Sequence, residues 1–191
     1  MSEQKNNIAF IGTGLMGLPM IKNLSKSDYK INAFNRTLSK MNELNNINNI
    51  TICSSLDAAI ENSTIVISSL PDDEAVEEII NEIINKNLLK EGSVFVDTSS
   101  TKFESAKKFY KDLKDKNINF IDAPISGGPE GAKSASLAIM AGGDAEIFDR
   151  IKDILKTMGN PTLVGPAGSG QVAKLCNQII VGVTIGAVAE A

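Results

Sequence analysis

Short β-branched segments alternate with longer amphipathic ones along most of the chain, and this alternation restricts the possible folds more than any other feature. The strand-like segments cover residues 6–11, 30–35, 49–54, 63–70, 92–97, 118–124 and 136–141. Helical patterns lie between them at residues 15–26, 37–45, 55–61, 72–85 and 102–116, and another runs from a capping Asp144 to about Thr157. Strands and helices that alternate in this way form a mostly parallel sheet covered on both faces. The sequence therefore predicts an α/β fold with a doubly wound, mostly parallel sheet.

A glycine-rich turn stands where the first predicted strand meets the first predicted helix. Its sequence, "IAFIGTGLMG", contains the spacing G-x-G-x-x-G. In this position the glycines allow a tight turn, close approach of the backbone to a pyrophosphate, and close packing of helix on strand, while the helix N-terminus favours the phosphates. We therefore predict a Rossmann-type dinucleotide-binding domain over residues 1–166. The predicted cofactor contacts in this turn are Gly12, Thr13, Gly14, Leu15, Met16 and Gly17.

The end of the second predicted strand indicates which dinucleotide is bound. An NAD enzyme usually carries Asp or Glu there, about 20 residues beyond the glycines, to accept the ribose 2′-hydroxyl. This chain has Asn35, Arg36 and Thr37 instead. Because an acid would repel a 2′-phosphate whereas a guanidinium matches its geometry, we predict a preference for NADP over NAD. The alternative is that Arg36 is only a solvated loop residue.

Residues at the ends of later strands should line the same crevice, because ligands of such sheets bind outside the carboxyl ends of the strands. Leu70 and Pro71 end the fourth predicted strand, and Ser100 follows the fifth. We predict that all three contact the cofactor.

The segment "DAPISGGPEGA" follows the sixth predicted strand and offers a second group of candidates. Its Ser126, Gly127 and Gly128 could present a hydroxyl and exposed backbone N–H groups to an anion. On its own the same segment is equally well read as a plain turn.

A long helix begins near residue 168, and a set of polar residues shares one of its faces. These residues are Gln171, Lys174, Asn177 and Gln178. An unpaired buried lysine is costly, so this face needs partners unless Lys174 simply reaches solvent. Beyond Ile179 the helix is apolar on nearly every side, which is typical of a helix buried all round. We therefore expect residues 167–191 to begin an interdomain helix, with a second domain or a partner subunit absent from this chain.

The composition excludes several classes of function. The chain has no histidine, which rules out Ser-His-Asp triads and His-ligated zinc, so acid/base chemistry must use other side chains. The net charge of −4 argues against a phosphate-binding nucleic-acid surface. The cysteines, Cys53 and Cys176, lack metal-site spacing, and we expect both to be buried and no metal to be bound.

The ends of the sequence bear on location. The polar start, "MSEQKNN", shows neither a signal peptide nor a transit helix. The apolar run at residues 179–189 is shorter than the roughly 20 residues needed to cross a bilayer. We therefore expect a cytoplasmic protein with no membrane contact.

Three segments, "GTGLMGLPM", "DAPISGGPEGA" and "GSGQVAKLCNQ", together resemble the signature segments of the β-hydroxyacid dehydrogenase family. The resemblance covers the whole chain. It implies a Rossmann-type domain joined through a long helix to an all-helical C-terminal domain, which helps to form both a homo-oligomer and the active site. It further implies hydride transfer between a nicotinamide cofactor and a small 3-hydroxy acid or semialdehyde.

The resemblance also implies roles for individual residues. Lys174 would be the general acid/base, and Ser100 would contact the cofactor near its nicotinamide. The substrate carboxylate and the substrate's orientation would be controlled by Ser126, Gly127, Gly128, Asn177 and Gln178. We expect desolvation and the cationic nicotinamide to lower the pKa of Lys174.

Three alternatives remain open. A 6-phosphogluconate dehydrogenase shares a similar Ser-Gly-Gly segment and a catalytic lysine, but carries histidine where this chain has Cys176. Tyr110 and Lys114 form the Y-x-x-x-K pattern of short-chain dehydrogenases, although Tyr110 also belongs to an apolar helix stripe and the glycine spacing is wrong for that class. The third alternative is a truncated or non-catalytic dinucleotide-binding module.

Overall fold

A computed structural model describes residues 7–191. Its strands are β1 (Asn7–Ile11), β2 (Lys30–Phe34), β3 (Ile50–Cys53), β4 (Ile65–Ser68), β5 (Val94–Asp97), β6 (Asn119–Asp122), β7 (Ile125–Ser126), β8 (Leu137–Gly142) and β9 (Gly159–Gly165). Its helices are α1 (Gly17–Leu24), α2 (Leu56–Ile60), α3 (Asp73–Lys86), α4 (Phe103–Lys114), α5 (Gly128–Lys133), α6 (Ala145–Lys156) and α7 (Ser169–Glu190). The first residue of the first predicted strand, Asn6, and most of the polar start lie outside the described residues.

One sheet contains all of these strands. Six of them are parallel in the order β3-β2-β1-β4-β5-β6. β8 then pairs antiparallel with β6 and β7, and β9 runs parallel to β8. The strand order reverses at β1, which lies between β2 and β4, and ligands of such sheets bind beside this switch point. The predicted mostly parallel, Rossmann-type sheet is confirmed.

Side chains of the strands alternate between two buried layers. On β1, Ile8 and Phe10 pack into the layer that includes α1 and α6, whereas Ala9 and Ile11 pack into the layer that includes α3 and α4. This period of two places apolar residues on both faces, as expected for a parallel sheet covered by helices. The carboxyl ends of the strands are left as the region where polar side chains collect.

Local structure departs from the sequence prediction in three places. Residues 37–45 were expected to be an α-helix, but Leu38–Leu44 is a 3-10 helix. The segment after β6 contains β7 and α5, for which the sequence analysis predicted neither a strand nor a helix. Asp144 is the N-cap residue of α6, yet its side chain makes no capping hydrogen bond; its carboxylate instead accepts one from the hydroxyl of Tyr110.

The predicted long helix is confirmed as α7, which has 22 residues. Its first turn is buried against the sheet, while most of its later apolar residues are exposed. The exposed apolar residues are Val172, Leu175, Ile179, Ile180, Val181, Val183, Ile185 and Val188. By length and composition alone α7 could cross a membrane, with a mean hydropathy of 1.6 over 18 residues. The sequence analysis excluded a membrane span because the apolar run at residues 179–189 is short, and the length of the whole helix removes that argument. Length and composition are a weak criterion, because helices of soluble proteins share them.

Candidate active site

The turn after β1 contains three glycines, and two of them have no room for a side chain. Gly12 has φ of +97°, and a Cβ built on it would clash with the backbone oxygen of Ser69. A Cβ on Gly17 would clash with the backbone oxygen of Gly12. Gly14 differs, since its Cβ would meet no atom of the described chain within 4 Å. Gly12 and Gly17 therefore fold the turn, and Gly14 leaves open space in front of it, which fits a pyrophosphate held close to the backbone.

A cavity of about 390 Å³ lies in front of this turn, between the ends of β1, β2 and β4. Most of the predicted cofactor contacts line it: Gly12, Gly14, Leu15, Met16, Gly17, Asn35, Arg36, Thr37, Leu70 and Pro71. Two charged residues that the sequence analysis did not single out, Lys40 and Glu78, line it as well. Lys40 follows Arg36 by four residues in a polar segment, whereas no local pattern marked Glu78.

Thr13 is the predicted contact of this turn that the cavity does not reach. Its side chain is buried, and its Oγ1 has no hydrogen-bond partner. Its backbone N–H donates to Asn35 Oδ1 at 3.2 Å, and the Asn35 amide donates to the Thr37 carbonyl at 3.0 Å. Asn35 therefore fastens the glycine turn to the loop after β2.

A second cavity of about 590 Å³ continues from the first, with which it shares Met16, Ser69, Leu70 and Pro71. It brings together residues predicted from three separate segments of the sequence. These are Ser100 after β5, the Ser126–Gly127–Gly128 group after β6, and Lys174 and Gln178 on α7. The two predicted sites are therefore adjoining parts of one crevice.

Lys174 is half-buried at this second cavity. Its Nζ donates to Gln178 Oε1 at 2.9 Å, and the Asn177 amide donates to the same oxygen at 3.1 Å. Asn177 also donates to Ser126 Oγ at 3.0 Å, which links α7 to the segment after β6. Partial burial lowers the pKa of Lys174. The amine therefore lines the same cavity as the Ser126 hydroxyl group, and its partial burial shifts its protonation equilibrium toward the neutral form.

Gln171, which the sequence analysis placed on the same polar face of α7 as Lys174, makes its hydrogen bonds to a different part of the chain. Its side chain is buried; the amide donates to the Ser99 carbonyl at 3.0 Å, and its oxygen accepts from the Thr101 N–H at 3.1 Å. Gln171 therefore holds the first turn of α7 against the loop after β5. It acts on the position of the helix rather than on a ligand.

Asp122 at the end of β6 anchors the same turn of α7. Its oxygens accept hydrogen bonds from the backbone N–H of Gly168 at 2.7 Å and of Gln171 at 3.1 Å. A Cβ on Gly142 or Gly170 would lie 2.6 or 2.7 Å from its carboxylate, so only glycine allows this approach. The sequence analysis missed Asp122, although it opens the "DAPISGG" segment and precedes the predicted anion turn.

Asp122 makes the stability of the fold depend on pH. Burial raises its pKa from 3.8 to about 6. Between roughly pH 4 and pH 6 the folded chain therefore keeps a proton that the unfolded chain releases, and this contribution to stability is lost as the pH rises. We expect the free energy of unfolding, relative to Asp122→Asn, to fall by about 2 kcal/mol from pH 4 to pH 7 in urea titrations. A difference that stays constant over this range would contradict the assignment.

A second buried carboxylate supports the loops after β4 and β5. Asp97 Oδ1 accepts from the Ser68 hydroxyl at 2.9 Å and from the Ser99 N–H at 3.0 Å, and Ser99 Oγ accepts from the Leu70 N–H at 2.9 Å. Burial raises the pKa of Asp97. This network fixes Leu70 beside Ser99, where the two cavities meet.

Asn23 connects the two sides of the crevice. Its buried amide donates to the carbonyls of Ala132 at 2.6 Å and Lys133 at 3.2 Å. It thereby ties α1, which follows the glycine turn, to α5, which follows Ser126.

Other candidate residues lie away from the crevice. Tyr110 and Lys114 are hydrogen-bonded at 2.9 Å, but neither lines either cavity. Cys53 is buried as expected, whereas Cys176 is exposed on α7, which corrects that prediction. Within residues 7–191, no group of three or more Cys, Asp or Glu side chains is placed to hold a metal ion.

Comparison with known proteins agrees with this geometry. Residues 7–176 match the protein family described as the NAD binding domain of 6-phosphogluconate dehydrogenase. The chain is 36% identical over 188 residues to 2-hydroxy-3-oxopropionate reductase of Escherichia coli (strain K12), covering 96% of this chain and 63% of that protein. It is also 36% identical over 188 residues to NAD-dependent L-serine dehydrogenase of Pseudomonas aeruginosa, covering 96% of this chain and 62% of that protein.

A solved structure shows the same fold. Mycobacterium tuberculosis 3-hydroxyisobutyrate dehydrogenase with L-serine superposes with a TM-score of 0.92 at 29% identity, covering 98% of this chain and 64% of that one. The chain therefore spans somewhat less than two thirds of the length of these relatives.

Proposed function

The chain belongs to the β-hydroxyacid dehydrogenase family as an NAD(P)-binding domain, and on this premise we propose that it takes part in hydride transfer between NADP and a small 3-hydroxy acid or the corresponding semialdehyde. One observation carries the proposal: a half-buried Lys174 and Ser126 share a cavity that opens into the dinucleotide cavity. The relatives' names point to substrates that carry a carboxylate and an oxygen on carbon 3, as in 3-hydroxyisobutyrate, L-serine and 2-hydroxy-3-oxopropionate.

The residues of the second cavity divide the chemistry between them. A bound nicotinamide dinucleotide would accept the hydride in oxidation and return it in reduction. Lys174, whose pKa is lowered by burial, takes the substrate hydroxyl proton as the neutral amine during oxidation and gives it back during reduction. Ser126, Gly127 and Gly128 receive the substrate carboxylate. Asn177, which donates to Ser126 Oγ and to Gln178 Oε1, orients the substrate together with Gln178.

A helical domain is proposed to complete the site. The apolar residues of α7 beyond its first turn are exposed, and the relatives are longer than this chain. Covering this face with a domain of the same or a partner chain would exclude water from the second cavity, and a domain from a partner chain would also form a homo-oligomer. With its apolar face covered, α7 would belong to a soluble cytoplasmic protein rather than to a membrane.

The preference for NADP is a separate part of the proposal and gives a prediction. Arg36 lines the first cavity where a 2′-phosphate would lie, and an arginine contact to phosphate is charge-assisted. We expect Arg36→Ala to weaken NADPH binding by about 10- to 100-fold and NADH binding by less than threefold. Fluorescence titration of both cofactors measures this. Arg150→Ala, which removes an arginine on α6 remote from the crevice, is the control. An unchanged ratio of the two affinities would remove Arg36 from the argument.

The reaction itself is tested by NADP-linked oxidation of a panel of small 3-hydroxy acids, with 6-phosphogluconate included. The assay uses the chain alone and a chimera in which the remaining C-terminal part of the Escherichia coli relative is joined to it. Turnover of a 3-hydroxy acid supports the proposal, and turnover of 6-phosphogluconate alone supports the alternative enzyme. Tight cofactor binding without turnover of any substrate in either protein would indicate a non-catalytic binding module.

A further inference from the structure

The dinucleotide cavity contains a carboxylate that the proposed function does not use. Glu78 on α3 lines it together with Arg36 and Lys40, and is the only acidic residue among the described residues that line it. Arg36 Nη1 and Glu78 Oε2 are 3.3 Å apart, so the ion pair spans the part of the cavity beside the end of β2. The arginine assigned to a 2′-phosphate is therefore already paired.

This ion pair is weak enough to exchange partners. The Arg36 and Glu78 side chains are 73% and 68% exposed, and ion pairs between such exposed groups contribute little to stability. A phosphate offers arginine a stronger, charge-assisted contact, so Arg36 can turn from Glu78 to a 2′-phosphate. The carboxylate then remains nearby and repels the phosphate, since like charges in one site oppose each other.

Glu78 has the opposite effect on a cofactor that lacks the 2′-phosphate. In NAD enzymes a carboxylate accepts the hydrogen bond of the ribose 2′-hydroxyl, usually from the end of the second strand. Asn35 occupies that position here and is engaged with Thr13 and Thr37. Glu78 on α3 is the carboxylate that lines the cavity in its place.

The position of Glu78 is fixed by its helix. Ala75 and Ile79, on the same side of α3, also line the cavity. The neighbouring Glu77 points away and pairs with Lys108 on α4 at 2.8 Å. Glu78 is therefore held at the cavity by the helix, and Glu77 is a matched residue outside it.

We propose that Glu78 is a specificity-determining residue that limits the preference for NADP and allows the same site to bind NAD. The proposal rests on the proposed function, because it concerns the same cofactor site. With NAD, the Arg36–Glu78 pair stays intact and the carboxylate accepts the 2′-hydroxyl. With NADP, Arg36 leaves the pair and Glu78 opposes the phosphate.

The test compares Glu78→Gln with Glu77→Gln in the 191-residue chain. Dissociation constants for NADPH and NADH are measured by fluorescence titration, which does not depend on catalysis. We expect Glu78→Gln to tighten NADPH binding and weaken NADH binding, so that the ratio of the two constants changes by about tenfold in favour of NADPH. Glu77→Gln leaves the ratio within about twofold, and the effect of Glu78→Gln shrinks at about 0.5 M salt because the charges are exposed.

Two results of these titrations would overturn the inference, and they differ in what they say about the proposed function. If Glu78→Gln leaves the ratio unchanged, or alters both affinities equally, Glu78 does not discriminate between the cofactors, and the inference is overturned while the proposed function stands. If the unmodified chain binds neither dinucleotide, the proposed function fails and this inference fails with it.

Discussion

Lys174→Met is expected to lower kcat for the proposed 3-hydroxy acid oxidation by about 10²- to 10⁴-fold, the usual effect of removing a general acid/base. Methionine keeps a long apolar stem but has no proton to exchange, so the loss falls on the chemical step. Cofactor affinity should change little, since Lys174 lines the second cavity and not the first. Steady-state rates and NADPH titrations of the catalytically active protein measure the two quantities separately.

The pH dependence sharpens this prediction. The value of kcat/KM for oxidation should rise with pH as the neutral base forms. Because burial lowers the pKa of Lys174, this rise should occur at a lower pH than it would for a solvent-exposed lysine. The rise should be absent from the residual activity of Lys174→Met. Lys156→Met, at an exposed lysine paired with Asp153 on α6, is the matched control and should retain both the rate and the profile. Near-normal kcat in Lys174→Met would exclude the mechanism.

Alanine substitutions at two glycines of the turn after β1 are expected to have different effects, one on cofactor binding and the other on stability. Gly14→Ala should fold normally, because its Cβ meets no atom of the described chain, yet bind NADPH at least tenfold more weakly, because the methyl group enters the space proposed for the pyrophosphate. Gly12→Ala should instead destabilise the chain, since a Cβ there clashes with the Ser69 backbone and φ is +97°. The cost of about 3 kcal/mol corresponds to a fall in Tm of roughly 6–12 °C.

Thermal melts and NADPH titrations of both variants decide this point. Gly92→Ala is the control: Gly92 also has positive φ and an unobstructed Cβ, but it is remote from the crevice, so this variant loses stability without a matching loss of NADPH affinity in its folded fraction. Unimpaired NADPH binding by Gly14→Ala would show that the cofactor does not approach this turn as proposed.

The parts of the fold and site that the sequence predicted depend on local patterns. Each of these patterns lies within one short segment: the β-branched strands, the spacing of Gly12, Gly14 and Gly17, and the helical spacing of Lys174 and Asn177. Such patterns predict the secondary structure of a segment, and the order of strands in the sheet then brings the segments together.

The parts that were missed depend on contacts between distant segments. Gln171 has the spacing of a site residue, but its side-chain nitrogen and oxygen both form hydrogen bonds with the loop after β5. Asp122 and Glu78 acquire their roles only when α7 and α3 pack beside the sheet. The exposure of Cys176 likewise depends on what covers α7, which no local pattern reveals.

The hydrogen bonds of Asp122 and Gln171 anchor the first turn of α7, which would be the pivot for any tilt of the rest of the helix. At a rise of about 1.5 Å per residue, Lys174 lies only about 4.5 Å along the axis from Gln171, whereas Val188 lies about 25 Å away. A tilt of about 10° at the pivot would then displace Val188 by about 4 Å but Lys174 by less than about 1 Å. A domain packed on the far end of α7 would therefore be displaced by several ångström in such a tilt, whereas the proposed acid/base would stay beside the crevice.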